Sequence, residues 1–177
     1  DAILGASRPI PGTITKDMVR EMADKPIVFA AANPEPEIWP WDALDAGAYV
    51  VATGRSDFPN QINNSLGFPG IFRGALDVRA ETITDAMCIA AAKELAKVAE
   101  DKGLTPDYII PNMEEWEVFP REAAAVGTQA VKDGIARINR SYDELLESAY
   151  EIIKRARDET KSKMELGIIK NAPKGTS

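Results

Sequence analysis

Three short apolar runs punctuate the first third of the chain: Ala2 to Ala6, Ile27 to Ala32 and Ala48 to Thr53. Each is nearly continuous in hydrophobicity rather than alternating, the pattern of strands covered on both faces of a parallel sheet. The polar intervals between them fit helices. In "TITKDMVREMADK", Thr15 is placed to cap a helix whose apolar face is Met18, Val19 and Met22. "WPWDALDAG" reads as a short helix closed by Gly47. Strand, helix, strand, helix, strand is a βαβαβ unit, half of a doubly wound nucleotide-binding sheet.

Beyond residue 80 the apolar period becomes helical. Thr84 caps a predicted helix to about Asp101, striped by Met87, Ala91, Leu95 and Val98 and stopped by Gly103. Ile83 and Cys88 stand at the spacing of a hydrophobic staple. "YIIPNMEEWEVFP" predicts a short strand-like piece, then an acidic loop carrying Trp116 and Phe119. A third helix is expected after Pro120, its face of Ala123, Gly127, Ala130 and Gly134 small enough for close backbone packing. Ser141 and Glu144 have capping-box spacing for a last helix over 142–166, lined by Leu145, Ala149, Ile152, Ile153 and Ala156. That helix is expected to pack on its own domain or on a sister subunit. Only the final "APKGTS" reads as loose.

Composition narrows the function by exclusion. With 177 residues, 45% hydrophobic and 28% charged, the chain can bury a real core and is not of disordered type. A net charge of -7 argues against a nucleic-acid partner, which needs clustered Lys and Arg. No run approaches the roughly 18 to 20 apolar residues of a membrane span, and no basic-then-apolar leader is present, so a cytoplasmic location is expected. Histidine is absent, which removes Ser-His-Asp and Cys-His chemistry and imidazole-bound metals together. Cys88 is the single cysteine; no internal disulfide is available, and its alanine-rich setting predicts a buried, inert thiol. The chain has no initiator Met and starts inside a strand pattern, as expected of a portion of something longer.

Ligands of an open parallel sheet bind beyond the carboxyl ends of its strands. Topology therefore selects "SRPIPG", "NPEPEI" and "TGRSDFPNQINNSLGFPG" for inspection. Asn33, Asn63 and Asn64 each offer a donor and an acceptor on a short arm. Such groups suit a carboxamide, a hydroxyl or a carboxylate, and a nicotinamide ring beside a small hydroxy acid contains all three. Prolines on either side of Glu35 limit the loop's freedom, and Arg55 can pair with a carboxylate or phosphate. Structural roles are equally available: Asn before Pro starts a turn, Asn63 or Asn64 can cap a helix, and Arg55 with Asp57 can form a local ion pair. A GxGxxG phosphate turn and its acidic ribose partner are missing, and Glu35, Glu37 and Asp57 are too scattered for a metal cluster. The residues by themselves lead to half of a dinucleotide-enzyme active site.

"PIVFAAANPEPEI" followed by "AGAYVVATGRSDFPNQINNSLGFPGIFRGALDVRA" resembles the carboxyl-terminal part of malic enzymes of the compact prokaryotic type, from about Asp1 to Ile110. "IIPNMEEWEVFPREAAAVGTQAV" is similar to the form in some archaeal and bacterial members. The resemblance implies an α/β fold: an incomplete Rossmann-like, doubly wound parallel sheet in residues 1–110, then a helical carboxyl-terminal region in 111–177. It implies oxidation of L-malate by NAD or NADP with loss of CO2 to pyruvate, assisted by Mg2+ or Mn2+. Carried over by motif, Asn33 and Asn64 would touch malate and the nicotinamide end of the cofactor, with Asn63 beside them and Ser7 along the cofactor. The family's general-base Lys, Tyr acid, three acidic metal ligands and phosphate loop precede this stretch. No catalytic or metal-binding residue is therefore expected here, and activity is expected only with the amino-terminal portion present. Family habit and the long striped helix imply a homodimer. The glutamates of "NPEPEI" are expected as solvated rim charges, one of them near Arg55. Two other readings stand beside this one: a portion of another NAD(P)-dependent two-domain dehydrogenase, for amino acids or tetrahydrofolate, and a non-catalytic assembly module with vestigial strand-end loops.

Overall fold

The computed structural model describes residues 1–170, so the "APKGTS" end lies outside the described residues. Strands β1 (Ala2–Gly5), β2 (Ile27–Ala30) and β3 (Val50–Thr53) form a parallel sheet in the order β1-β2-β3. Leu4, Phe29 and Ala52 stand side by side in register. Helices α1 (Lys16–Arg20) and α2 (Pro40–Asp45) make the two crossovers. Thr15 caps α1 by accepting from the Met18 N–H at 3.2 Å, and Gly47 ends α2 at a φ of 104° that its missing Cβ permits. Lys16 joins the two helices by ion pairs to Asp42 at 2.8 Å and Asp45 at 3.0 Å. Ile14, Val19, Val28, Ala30, Ile38, Ala43 and Val51 fill the space between helices and sheet.

Burial is less even than the apolar runs predict. β3 is buried along its whole length, but β1 is an edge strand with Leu4 71% exposed, and Ile27 of β2 is also open. Helices α3 to α6 pack on one another instead of covering that face. Met18 is exposed as well, leaving Val19 to anchor α1.

The sequence pattern foresaw no more of α3 (Asn64–Asp77) than a possible cap at Asn63 or Asn64, and Asn63 is that cap. Local propensity opposes this helix, since Gly67, Gly70, Gly74 and Pro69 are all poor helix formers. Packing against α5 (Val118–Lys132) overrides propensity. A Cβ at Gly74 would meet Val126 Cβ at 2.8 Å and the Gly127 backbone nitrogen at 3.0 Å, so the two backbones touch where side chains normally intervene. The small face of Ala123, Gly127 and Ala130 serves this contact as expected, whereas Gly134 lies beyond the helix end at a φ of 73°.

Helix α4 (Asp85–Lys102) matches its expected cap and stripe, with Met87, Ala91, Leu95 and Val98 buried. Cys88 and Ile83 are both exposed, which corrects the buried-thiol and staple expectations: they lie on the side of α4 away from its stripe. Residues 108–112 form no strand. The loop is held instead by side chains, with Glu115 accepting from Tyr108, Lys102 and the Asn112 N–H. Helix α5 starts at Val118, two residues before Pro120. Helix α6 (Tyr142–Glu165) opens with the expected capping box and docks on α5 through Leu145 and Ala149. Ala156 is exposed, and the carboxyl-terminal half of α6 stands over an apolar groove with Trp116, Phe119, Ile152, Ile153 and Met164. Among the described residues no helix is long and apolar enough to cross a membrane.

The α3–α5 contact should be the least forgiving in the molecule. We expect Gly74→Ala to destabilise the fold by about 1–3 kcal/mol, since overpacking here pushes on backbone rather than on a yielding side chain. Chemical denaturation against Gly12→Ala, whose Cβ would meet nothing within 4 Å but which carries positive φ, separates packing from backbone strain.

Candidate functional site

The strand ends form one edge, and Glu37 is what joins two of their loops. Its side chain is fully buried. Oε1 accepts from the Ser7 N–H at 2.7 Å and the Ser7 hydroxyl at 3.1 Å, while Oε2 accepts from the Ala32 N–H at 3.1 Å. Its backbone carbonyl also accepts from Gly12 and Ile14. The loop after β1 is thus tied to the loop after β2 at four points, and the Ala32 bond closes the second loop on itself. Gly5 makes this possible, because a Cβ there would lie 2.8 Å from the carboxyl carbon. Burial pushes the Glu37 pKa up, but the Ser7 and Ala32 N–H groups outweigh it and hold the carboxyl below its ordinary value. The expectation of a solvated rim charge is wrong for Glu37, although Glu35 is exposed.

A second clamp joins the loops after β2 and β3. The Arg55 guanidinium chelates Asp57 through Nε at 2.8 Å and Nη2 at 2.6 Å, and Nη1 donates to the Pro34 carbonyl at 2.8 Å. It lies 5.7 Å from the Trp39 ring centre and 5.8 Å from that of Phe58. Trp39 in turn stacks on Trp41 at 4.9 Å. The expected local ion pair is present, and it is Asp57 rather than a loop glutamate that takes Arg55.

Four site residues were expected, and they fall into two kinds. Asn33 and Asn64 are exposed. Asn64 is the first residue of α3, and its side chain has no hydrogen-bond partner among the described residues. Asn33 precedes the cis peptide bond to Pro34, and its Nδ2 makes only a long 3.5 Å hydrogen bond to the Ala31 carbonyl. Gly54 lets the β3 end come against it, since a Cβ there would lie 2.7 Å from Asn33 Nδ2. By contrast, Asn63 and Ser7 are engaged. Asn63 caps α3, accepting from Ser65 N–H at 3.0 Å and donating to the Gly54 carbonyl at 3.0 Å. Ser7 is held by Glu37 as described. Asn33, Gly54, Arg55 and Asn63 line one shallow polar concavity.

Sequence reasoning missed Asn60. It is buried at a φ of 55°, and its amide donates to the Val51 and Pro106 carbonyls while accepting from the Ile109 N–H. The only prior signal is that Asn tolerates left-handed backbone. Among the described residues no three carboxylate or cysteine side chains converge to hold a metal ion, so no metal chemistry is assigned to them. Exposed amides such as those of Asn33 and Asn64 have the donor-and-acceptor chemistry that a carboxamide takes, but Asn64 is not among the residues lining the concavity, and no phosphate-binding turn accompanies them.

Removing the latch should loosen the edge. Glu37→Gln replaces one acceptor by a donor facing an N–H, and we expect a loss of about 2–3 kcal/mol at neutral pH. A carboxyl held low in the fold stabilises above its unfolded pKa, so the wild-type advantage should shrink as pH falls below 4.5. Urea unfolding of both proteins across pH 3 to 7 checks this, and a gap that does not narrow would contradict it.

Comparison with known proteins agrees with this architecture. The family described as "Malic enzyme, NAD binding domain" matches residues 1–131. The bifunctional malic/malolactic enzyme of Bacillus subtilis (strain 168) is 52% identical over 147 residues, 83% of this chain and 35% of that protein. The NADP-dependent malic enzyme of Rhizobium meliloti (strain 1021) is 48% identical over 141 residues, 71% of this chain and 18% of that protein. The crystal structure of Entamoeba histolytica malic enzyme superposes with a TM-score of 0.95 at 49% identity, covering 98% of this chain and 36% of that one. This chain thus spans at most about a third of the length of the relatives it matches. By the family match and by the fold, the chain belongs to the malic enzyme family, as its NAD-binding domain.

Proposed function

We propose that this chain is the cofactor- and substrate-binding portion of a malic enzyme that oxidises and decarboxylates L-malate to pyruvate and CO2 with NAD or NADP. On this reading an amino-terminal portion supplies the proton-transfer groups and the ligands of Mg2+ or Mn2+. The observation that carries the proposal is two exposed amides, Asn33 at the end of β2 and Asn64 at the start of α3, each beside a clamp that engages its polar neighbours. Residues whose own hydrogen bonds are satisfied position the loops; the two left open face the ligand.

Each amide can do what a hydroxy-acid substrate requires. An amide N–H donates to a malate carboxylate, and its oxygen accepts from the substrate hydroxyl or the nicotinamide carboxamide. The nicotinamide, when bound, accepts the hydride. Asn63 and Ser7, expected along the cofactor, act on this reading by fixing the loops that the cofactor lies against. On this reading residues 1–110 are the second half of the cofactor domain, and the region from 111 onward, helical in α5 and α6, braces it. The open groove beside α6 favours a second element of the proposal, assembly as a homodimer. The proposed setting is the cytoplasm.

The test is NAD(P)H formation from L-malate with Mn2+ by this chain joined to the amino-terminal portion. We expect turnover, and we expect Asn64→Ala to lower kcat/KM by about 10- to 100-fold, the worth of one or two lost hydrogen bonds, with an unchanged melting temperature. Wild-type levels of turnover in Asn64→Ala would remove that residue from the site. No malate turnover, with NAD-dependent turnover of an amino acid or a tetrahydrofolate, would transfer the chain to another dehydrogenase family.

A further inference from the structure

Glu122 on α5 is the most anomalous side chain in the protein. It is fully buried, and neither carboxyl oxygen has a hydrogen-bond partner among the described residues. Natural proteins avoid this arrangement because an uncompensated buried charge is costly. Its surroundings explain how it is accommodated. The carboxyl head lies in a slot in α3 made by the missing side chain of Gly70. A Cβ at Gly70 would overlap the head and lie 2.7 Å from Glu122 Cγ, whereas one at Gly67 would stand in ordinary contact, 3.8 Å from Oε1. α3 is therefore shaped around Glu122 within about two turns of the residues that open that helix.

We propose that Glu122 is a positioning residue: its carboxyl head fills the slot left by Gly70, sets the seat of α3 on α5, and so fixes the aim of Asn64 into the ligand site. The inference rests on the reading of Asn64 given above. The mechanical path is short. Gly70 lies six residues after Asn64 in the same helix, and the next contact along α3, Gly74 on Gly127, is too tight to absorb a shift. A displaced first turn must then move the capping Asn63 and with it Asn64.

Ionisation gives this device a signature. Burial alone raises the Glu122 pKa to about 8. The nearest guanidinium groups are engaged elsewhere: Arg73 pairs with Asp77 on α3, although its Nε has no partner, and Arg121, beside Glu122 in α5, pairs with Glu94 and Asp101 of α4. α6 meets α5 through Leu145 and Ala149, with Glu144 engaged by Ser141 and Tyr142 raised by burial and by Glu94. Nothing there compensates a carboxylate, so above pH 8 the head must leave its slot or draw in water.

The experiment uses the chain joined to its amino-terminal portion, assayed for malate-dependent NAD(P) reduction from pH 6 to 9.5. We expect the wild-type KM for malate to rise several-fold above pH 8. Glu122→Gln, which keeps the shape without the ionisation, should match the wild type within twofold at pH 7 and lack the alkaline rise. Glu122→Ala should lower kcat/KM at least tenfold at every pH, and adding Gly70→Ala should recover part of that loss by refilling the slot. An alkaline rise that persists in Glu122→Gln overturns the proposal, as does an unaffected Glu122→Ala. A readout independent of turnover covers failure of the functional reading or of a variant to fold. With selectively 15N-labelled Asn, the Asn63 and Asn64 signals should titrate near pH 8 in the wild type and stay fixed in Glu122→Gln. Signals static in both overturn the proposal, whereas titration without malate turnover sinks only the functional reading.

Discussion

The candidate site depends on one buried carboxylate. Glu37 gathers the Ser7 and Ala32 amides onto a single side chain and the Gly12 and Ile14 amides onto its own carbonyl. Loops at parallel strand ends have no ladder to hold them, so their order must come from such cross-links. A carboxylate serves better than a neutral acceptor, because charge-assisted hydrogen bonds are roughly twice as strong as neutral ones. The arrangement tolerates a fully buried charge because N–H donors surround it, the condition that Glu122 lacks. Two buried glutamates with opposite environments thus carry opposite protonation preferences, low for Glu37 and high for Glu122.

From the latch outward, rigidity passes through short links. Arg55 connects the second and third loops through the Pro34 carbonyl, and its aromatic bed of Trp39 and Phe58 leaves the guanidinium little freedom. Asn63 then joins the third loop to α3 by donating to Gly54 and capping the helix. The helix is held from below by glycine-tight packing on α5. Preorganisation of this kind lowers the ordering cost of binding, which matters for a site built from amides whose individual contributions are modest.

Much of this was legible beforehand, and the misses have a common cause. Parallel βαβαβ order followed from three β-rich runs separated by capped helical intervals, and the capping residues Thr15, Thr84 and Ser141 sit where local rules put them. Local rules failed where partners distant in sequence decide. Helix α3 has four residues that oppose helix formation, and only α5, some 50 positions later, explains it. Glu37 resembled any solvated loop acid because its partner Ser7 is 30 residues away. Asn60 reads as a turn residue until the Ile109 and Pro106 backbones are brought to it. Cys88 misled for the opposite reason: an alanine-rich setting resembles a core, yet in α4 alanine lies on both the buried stripe and the open side. Topology put Asn33 at a strand end; that Asn64 opens a helix, with a side chain free of hydrogen-bond partners among the described residues, was visible only in the fold.

The strand-end loops are locked in the free chain, before any cofactor or substrate arrives. The measurement to make is amide hydrogen exchange at Ser7 and Ala32, compared between the wild type and Glu37→Ala. Slow exchange is expected at both positions in the wild type, with coordinated loss of protection at both in the variant and the β2 and β3 amides still protected. Fast exchange at Ser7 and Ala32 in the wild type would show that the loops become ordered only on binding, and would contradict locking in the free chain.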